Sequence, residues 1–219
     1  MITLYAFKWV PDFAKGLVRD LRVRWALEEA GLPYKVQLIG LEDQDTPEYR
    51  SLQPWGQVPV IEDDDLVLFE SAAIVQYIAA KSETLSPRDP AGHAKVAQWL
   101  FAAMNSVEPE VSNLAEIDLF YADQDWAKAR RPGQEALTRA KLASLAKRLK
   151  GREWLDDRFT VADLLMVSVL RNLRHTDIVT ADPVLGPYVA RGEARPAFQR
   201  ALAAQLAAFK ENEPEMTPA

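Results

Sequence analysis

Few residues of this chain can do chemistry, and the missing types narrow the field as much as those present. None of its 219 residues is cysteine. A disulfide, a thiolate metal site and a cysteine nucleophile are therefore excluded, and any thiol chemistry must use a thiol brought by a ligand. His93 and His175 are the two imidazoles, neither in a ligand spacing, so no metal is expected. Hydroxyls in residues 1–45 are confined to Thr3, Tyr5 and Tyr34. Of these, Tyr5 is the candidate whose O–H could donate to an anion, although a tyrosine in a half-buried strand also serves packing alone. Further on, Gly56-Gln57-Val58-Pro59 is followed, eleven residues after the proline, by Glu70-Ser71 ahead of an apolar helical pattern. A serine there, expected as the N-cap, presents a hydroxyl and backbone N–H groups where the helix dipole favours an anion. The plainer reading is a cap and nothing more.

These residues must be positioned by regular elements, and the pattern supplies them. Ile2 to Phe7 reads as a strand with Thr3, Tyr5 and Phe7 on one face and Ile2 and Leu4 on the other. After the unusual connection Lys8-Trp9-Val10-Pro11-Asp12-Phe13-Ala14-Lys15-Gly16, helical spacing of Val18, Leu21 and Trp25 predicts a helix from Leu17 to Ala30, stopped by Gly31 and Pro33. Tyr34 to Leu38 alternates as a second strand, and the polar stretch Glu42 to Leu52 has room for a short helix. Val58 to Glu62 and Leu66 to Phe69 are two strands joined across Asp63-Asp64-Asp65, before a helix from Ser71 to Ala80. From Ala91 onward only helical patterns occur, predicted at Gly92 to Phe120, Gly133 to Leu149, Val161 to Arg174 and Pro196 to Phe209, with Glu213 to Ala219 as a frayed tail. Thr160-Val161-Ala162-Asp163 has the spacing of a capping box, a stability device rather than a catalytic one. The expected class is α+β, a βαβ-ββα unit followed by an all-α bundle, with residues 1–84 as the first domain, 85–90 as linker and 91–219 as the helical domain.

Composition excludes several partners. With 26 Lys+Arg against 32 Asp+Glu, the net charge of -6 argues against nucleic acid, and the acidic excess lies wholly in residues 1–84. No apolar run reaches the roughly eighteen residues that would span a bilayer. The start Met1-Ile2-Thr3-Leu4-Tyr5 lacks a basic-then-apolar leader, so a cytoplasmic protein without membrane contact is expected.

The element order, together with Pro54-Trp55-Gly56-Gln57-Val58-Pro59-Val60, Glu70-Ser71 and Phe159-Thr160-Val161-Ala162-Asp163, resembles the bacterial cytosolic glutathione S-transferase family over essentially the whole chain. The resemblance implies a thioredoxin-like N-terminal domain in which Val58, before a cis proline at Pro59, pairs its backbone with the cysteinyl part of glutathione. It implies further that Gln57 bonds the glutathione backbone, Ser71 takes the γ-glutamyl carboxylate and Glu70 the adjacent ammonium. Glutathione would be the co-substrate, with no metal, and the protein a homodimer engaged in detoxification.

The chain departs from that pattern where the thiol is activated. Family members use a Tyr at the end of the first strand or a Ser or Cys at the start of the first helix, and here Leu17-Val18-Arg19-Asp20 occupies the second place. Tyr5 is therefore named as the catalytic candidate, with the charges of Lys15, Arg19 and Arg22, or backbone N–H groups at the helix start, as alternatives. Trp9 and Phe13 either wall an electrophile pocket or close a hydrophobic seam, and Phe101, Met104 and Asn105 either join that pocket or belong to a core stripe. The leading reading is a transferase that conjugates or exchanges the glutathione thiolate with small hydrophobic electrophiles or peroxides. The competing one is a non-catalytic glutathione-binding or scaffold protein, and a third makes glutathione the cofactor of an isomerisation or dehalogenation.

Overall fold

The computed structural model describes residues 1–214, so positions 215–219 of the expected tail lie outside the described residues. Two compact units are formed, the first from Met1–Ser82 together with residues 196–214, the second from Glu83–Arg195.

In the first unit, strands β1 (Ile2–Phe7), β2 (Tyr34–Ile39), β3 (Val60–Asp63) and β4 (Leu66–Phe69) form one sheet in the order β2-β1-β3-β4. β1 and β2 are parallel, and β3 is antiparallel to both β1 and β4. The period-two alternation acts as predicted. Ile2, Leu4 and Ala6 are buried, while Tyr5 and Phe7 pack on the opposite face against Ile39, Tyr49, Val58 and Val60. The helices are α1 (Asp20–Ala30), α2 (Pro47–Leu52) and α3 (Ser71–Ala79), with a 3-10 turn at Leu41–Asp45 before α2. Helix α1 starts three residues later than its apolar pattern predicts, because Leu17 to Arg19 are held in turns, Leu17 N donating to Ala14 O and Leu21 N to Val18 O. It ends where predicted, at Gly31 in the left-handed region.

The second unit is helical: α4 (Pro90–Phe101), α5 (Glu108–Phe120), α6 (Asp125–Leu149), α7 (Val161–Leu170) and α8 (Leu185–Glu193). The single helix expected over Gly92 to Phe120 is divided by a π segment at Ala102–Val107. Pro109 is the physical reason: it cannot donate to the carbonyl four residues back, its ring crowds that carbonyl, and the widened turn ahead of it relieves the clash. Helix α6 begins eight residues before the predicted Gly133 and runs through Pro132. Tertiary contacts hold it: Gln134 Nε2 and Thr138 Oγ1 both donate to the Glu110 carbonyl on α5, and Arg131 pairs with Asp118. Helix α8 lies in a stretch for which no element was predicted. Gly192 marks a close approach in it, because a Cβ there would lie 2.8 Å from a Val167 methyl on α7. The predicted capping box is present. Asp163 Oδ2 accepts from Thr160 N at 3.0 Å and Thr160 Oγ1 from Ala162 N at 3.3 Å. The stretch expected as linker is packed at its start, Leu85 being fully buried with its carbonyl accepting from Val161 N.

The last helix, α9 (Pro196–Glu211), was expected in the helical domain and instead packs on α1 in the first unit. Phe198 meets the Trp25 ring edge-on at 4.9 Å, and Gln205 Nε2 donates to Asp20 Oδ1 at 2.6 Å. Asp20 also holds Arg24 at 2.7 Å inside the fold, and burial pushes its carboxyl upward in spite of these partners.

Candidate functional site

Sheet register explains why two motifs eleven residues apart act together. Val60 pairs with Phe69, so Pro59 just before β3 and Glu70 just after β4 stand opposite one another at one end of a hairpin. Tyr5 pairs with Val60 in the antiparallel β1–β3 ladder, so β1 also runs out toward this end, its last residue Phe7 lying two positions beyond Tyr5. Three features therefore converge at one end of the sheet: the exit of β1, the Gln57-Val58-Pro59 strap and the Glu70-Ser71 helix start.

The strap is fixed by its neighbours. The Val58-Pro59 peptide is cis, and both residues are buried while Gln57 is exposed. The Tyr49 hydroxyl donates to the Gln57 carbonyl at 2.7 Å, and burial pushes this phenol upward, keeping it protonated. Arg50 Nη1 donates to the Pro54 carbonyl at 2.7 Å. Gly56, at φ 63, lies where a Cβ would be 2.7 Å from the Gln44 carbonyl oxygen. Only glycine fits that turn.

At the helix start the cap is Glu70 rather than Ser71. Glu70 has φ 68, its carbonyl accepts from Ile74 N, and Ser71 is the first helical residue. A non-glycine residue at positive φ is strained, and such strain gathers where a ligand is gripped. Ser71 is 2% exposed, and its Oγ accepts from Arg22 Nη1 at 3.1 Å. The hydroxyl accepts there, which leaves its proton free to donate. Arg22 thus brings a buried guanidinium to a helix N-terminus. In the sequence Arg22 stood out only as a charge near the thiol; its contact with Ser71 spans 49 positions and left no local signal. Tyr49 had no signal beyond its type.

The remaining candidates fall in different places. Tyr5 packs beside Tyr49 with ring centroids 6.1 Å apart. Burial and then the Glu62 charge push the phenol upward. Since Tyr5 pairs with Val60, Glu62 lies along β3 in the direction away from Val58. Val18, from the turn before α1, packs in the same cluster as Val58, so the apolar Leu17-Val18 pair stands where the family carries Ser or Cys. In the connection after β1, Trp9 is half-buried and Phe13 is exposed. Phe101, Met104 and Asn105 belong to the second unit; Phe101 and Asn105 are exposed, and Met104 and Asn105 fall in the π segment. Among the described residues no group of three His, Cys, Asp or Glu side chains could hold a metal ion. No helix among them is long and apolar enough to cross a membrane.

A family model described as the glutathione S-transferase N-terminal domain matches residues 14–80. A glutathione S-transferase of Hyoscyamus muticus is 32% identical over 197 residues, covering 83% of this chain and 92% of its own. The chain belongs to the glutathione S-transferase family. The crystal structure of a glutathione transferase from Burkholderia graminis, with two glutathione molecules bound per subunit, superimposes at a TM-score of 0.80 with 30% identity, covering 99% of this chain and 89% of that one. With a glutathione S-transferase-like protein of Fusarium the match is 39% identical but spans 58% of this chain and 60% of the relative. The family's fold, a thioredoxin-like domain with a four-stranded mixed sheet followed by helices, is the fold found here.

Proposed function

We propose that this chain is a glutathione transferase that binds glutathione through Gln57, Val58, Pro59, Glu70 and Ser71 and transfers its thiolate to small hydrophobic electrophiles or peroxides. The observation that carries the reading is the hairpin register, which sets a cis Val58-Pro59 strap opposite a Glu70-Ser71 helix start already charged by Arg22. Glutathione needs such a pair of sites: a backbone edge for its peptide and an anion site for its γ-glutamyl carboxylate. In the transfer step the thiolate sulfur bonds to the electrophilic atom while the leaving group departs with its electron pair. For a peroxide, the sulfur bonds to one oxygen as a sulfenic acid, and the O–O pair leaves with the other oxygen, which is protonated by water. A second glutathione then displaces water to give the disulfide. The first unit's candidates for meeting the electrophile are the aromatic side chains of Trp9 and Phe13. In this reading the first unit, with α9 packed on it, is the glutathione domain and the helices of Glu83–Arg195 form the second. A cytoplasmic homodimer acting in detoxification, from a bacterial source, completes it.

Leu17-Val18 in place of Ser or Cys favours a second reading, a non-catalytic protein that holds glutathione. Retention on immobilised glutathione, followed by ultraviolet titration of the bound thiol, separates the two. The transferase reading requires binding and a thiol that ionises below its free value. Binding with an unshifted thiol leaves the second reading alone, and no binding overturns both. A monomeric mass in solution removes the homodimer.

A further inference from the structure

We propose that the indole N–H of Trp9 donates the hydrogen bond that holds glutathione as a thiolate, in place of the absent serine or cysteine. The inference rests on the transferase reading and names the group that reading lacks. Its starting point is an orphan: Trp9 Nε1 is buried with no hydrogen-bond partner among the described residues. A buried donor left unpaired is costly, and native folds keep few of them without a reason such as a ligand.

The course of the chain takes Trp9 toward the end of the sheet where that ligand is expected. Lys8 N donates to the Ile39 carbonyl, so the β1–β2 ladder continues one residue past β1, and Trp9 comes next. Phe7, two residues before Trp9, shares a cluster with Val58 and with Val18 from the turn before α1. The connection therefore leaves the sheet at the end where the strap and the Ser71 helix start converge. Val58, whose backbone receives the cysteinyl part of the tripeptide in the proposed function, belongs to the same cluster.

The early hydroxyls lie along the ladders rather than in the connection after β1: Tyr5 pairs by register with Val60, while Thr3, opposite Glu62, and Tyr34, opposite Ile2, stand toward the far end of the sheet. An indole N–H is a donor only and does not titrate, so it favours the thiolate over the thiol at every pH. It cannot take the thiol proton. That proton leaves to solvent as the thiol ionises, and the sulfur electron pair then attacks the electrophile, whose leaving group carries away the displaced pair.

Trp9→Phe keeps an aromatic ring and removes the N–H. The thiol of bound glutathione should then titrate about one unit higher, with kcat/KM at neutral pH falling about tenfold, since one unit is a factor of ten in the ionisation constant. Affinity for S-methylglutathione, which has no ionisable thiol, should change less than about threefold and serves as the control for folding. In the 15N-labelled protein, the indole resonance lost in Trp9→Phe should move downfield with glutathione and stay in place with S-methylglutathione. A wild-type protein that lowers the thiol pKa, beside a Trp9→Phe variant that lowers it equally, overturns this inference and leaves the transferase reading standing. Failure of the wild type to bind glutathione, or binding with an unshifted thiol, removes the transferase reading and this inference with it. A loss of S-methylglutathione affinity as large as the loss in kcat/KM assigns Trp9 to packing and overturns the proposal.

Discussion

Replacing Tyr188 by Phe removes one oxygen from a buried acid cluster in the second unit, and its cost should depend on pH. Tyr188 is 1% exposed and Asp163 is 0% exposed, and the phenol donates to Asp163 Oδ1 at 3.0 Å. The same carboxyl accepts from Leu155 N at 2.8 Å and Thr160 N at 3.0 Å, tying the entrance of α7 to the preceding loop. Burial pushes Asp163 up to about 6, against an ordinary value of 3.8, and the hydrogen bonds oppose only part of that rise. Between those values the folded protein holds a proton that the unfolded chain has released. Stability therefore falls as pH climbs from about 4 to about 6 and is level above, with a total change on the order of 3 kcal/mol. A hydrogen bond to an ionised group contributes about 1.5–3 kcal/mol and one between neutral groups about 0.5–1.5. Tyr188→Phe should thus cost roughly 2 kcal/mol at pH 8 and about 1 at pH 5. In Tm the loss at pH 8 is about 4–8 °C for a protein of this size. Urea unfolding of both proteins at the two pH values measures the difference. Equal destabilisation at pH 5 and pH 8, or none at pH 8, refutes the placement of a buried anion on this hydroxyl.

Three further outcomes are expected. Ser71→Ala removes the hydroxyl between Arg22 and the proposed carboxylate; glutathione affinity should drop about tenfold, and stability should fall by about 1–3 kcal/mol because the buried Arg22 donor loses its acceptor, as titration calorimetry beside thermal melting will show. Gly56→Ala forces a Cβ against the Gln44 carbonyl at positive φ, so the strap should lose glutathione binding while costing about 1–3 kcal/mol of stability; an alanine variant that binds like the parent is incompatible with that turn. Gly192→Ala overpacks the α7–α8 contact by about 1–3 kcal/mol with glutathione affinity unchanged, and unaltered unfolding would contradict the 2.8 Å approach to Val167.

Local pattern made the strands and the site hairpin readable. Val60 to Phe69 is a short hairpin whose strand lengths and Asp64-Asp65 turn decide the pairing, and pairing alone brings Pro59 to Glu70. Where the chain obeys distant contacts, the pattern misled. Pro132 and Gly133 look like a break, yet Gln134 and Thr138 are held by Glu110 on α5 and keep the helix whole. The glycines and proline of α8 look like loop residues until Val167 fills the space that a Cβ at Gly192 would need. Ser71 looked like a cap because its hydroxyl could serve the backbone; instead Arg22, 49 positions away, holds it, and Glu70 takes the cap with strained backbone. Tyr5 illustrates the same limit, since only the register of β3 brings the Glu62 charge near enough to push its phenol upward.

The docking of α9 on α1 carries a consequence for how the protein is made. Trp25 is fully buried, and Phe198 is one of the residues that cover it. Residues on a ribosome emerge in order at about 5–20 per second, so the first unit waits several seconds for its last helix while the intervening helical unit is synthesised. Until then Trp25 and the Asp20–Arg24 pair lack Phe198 and Gln205. A nascent chain stalled after residue 190 should consequently be cut by protease within the first unit, and one released whole should resist.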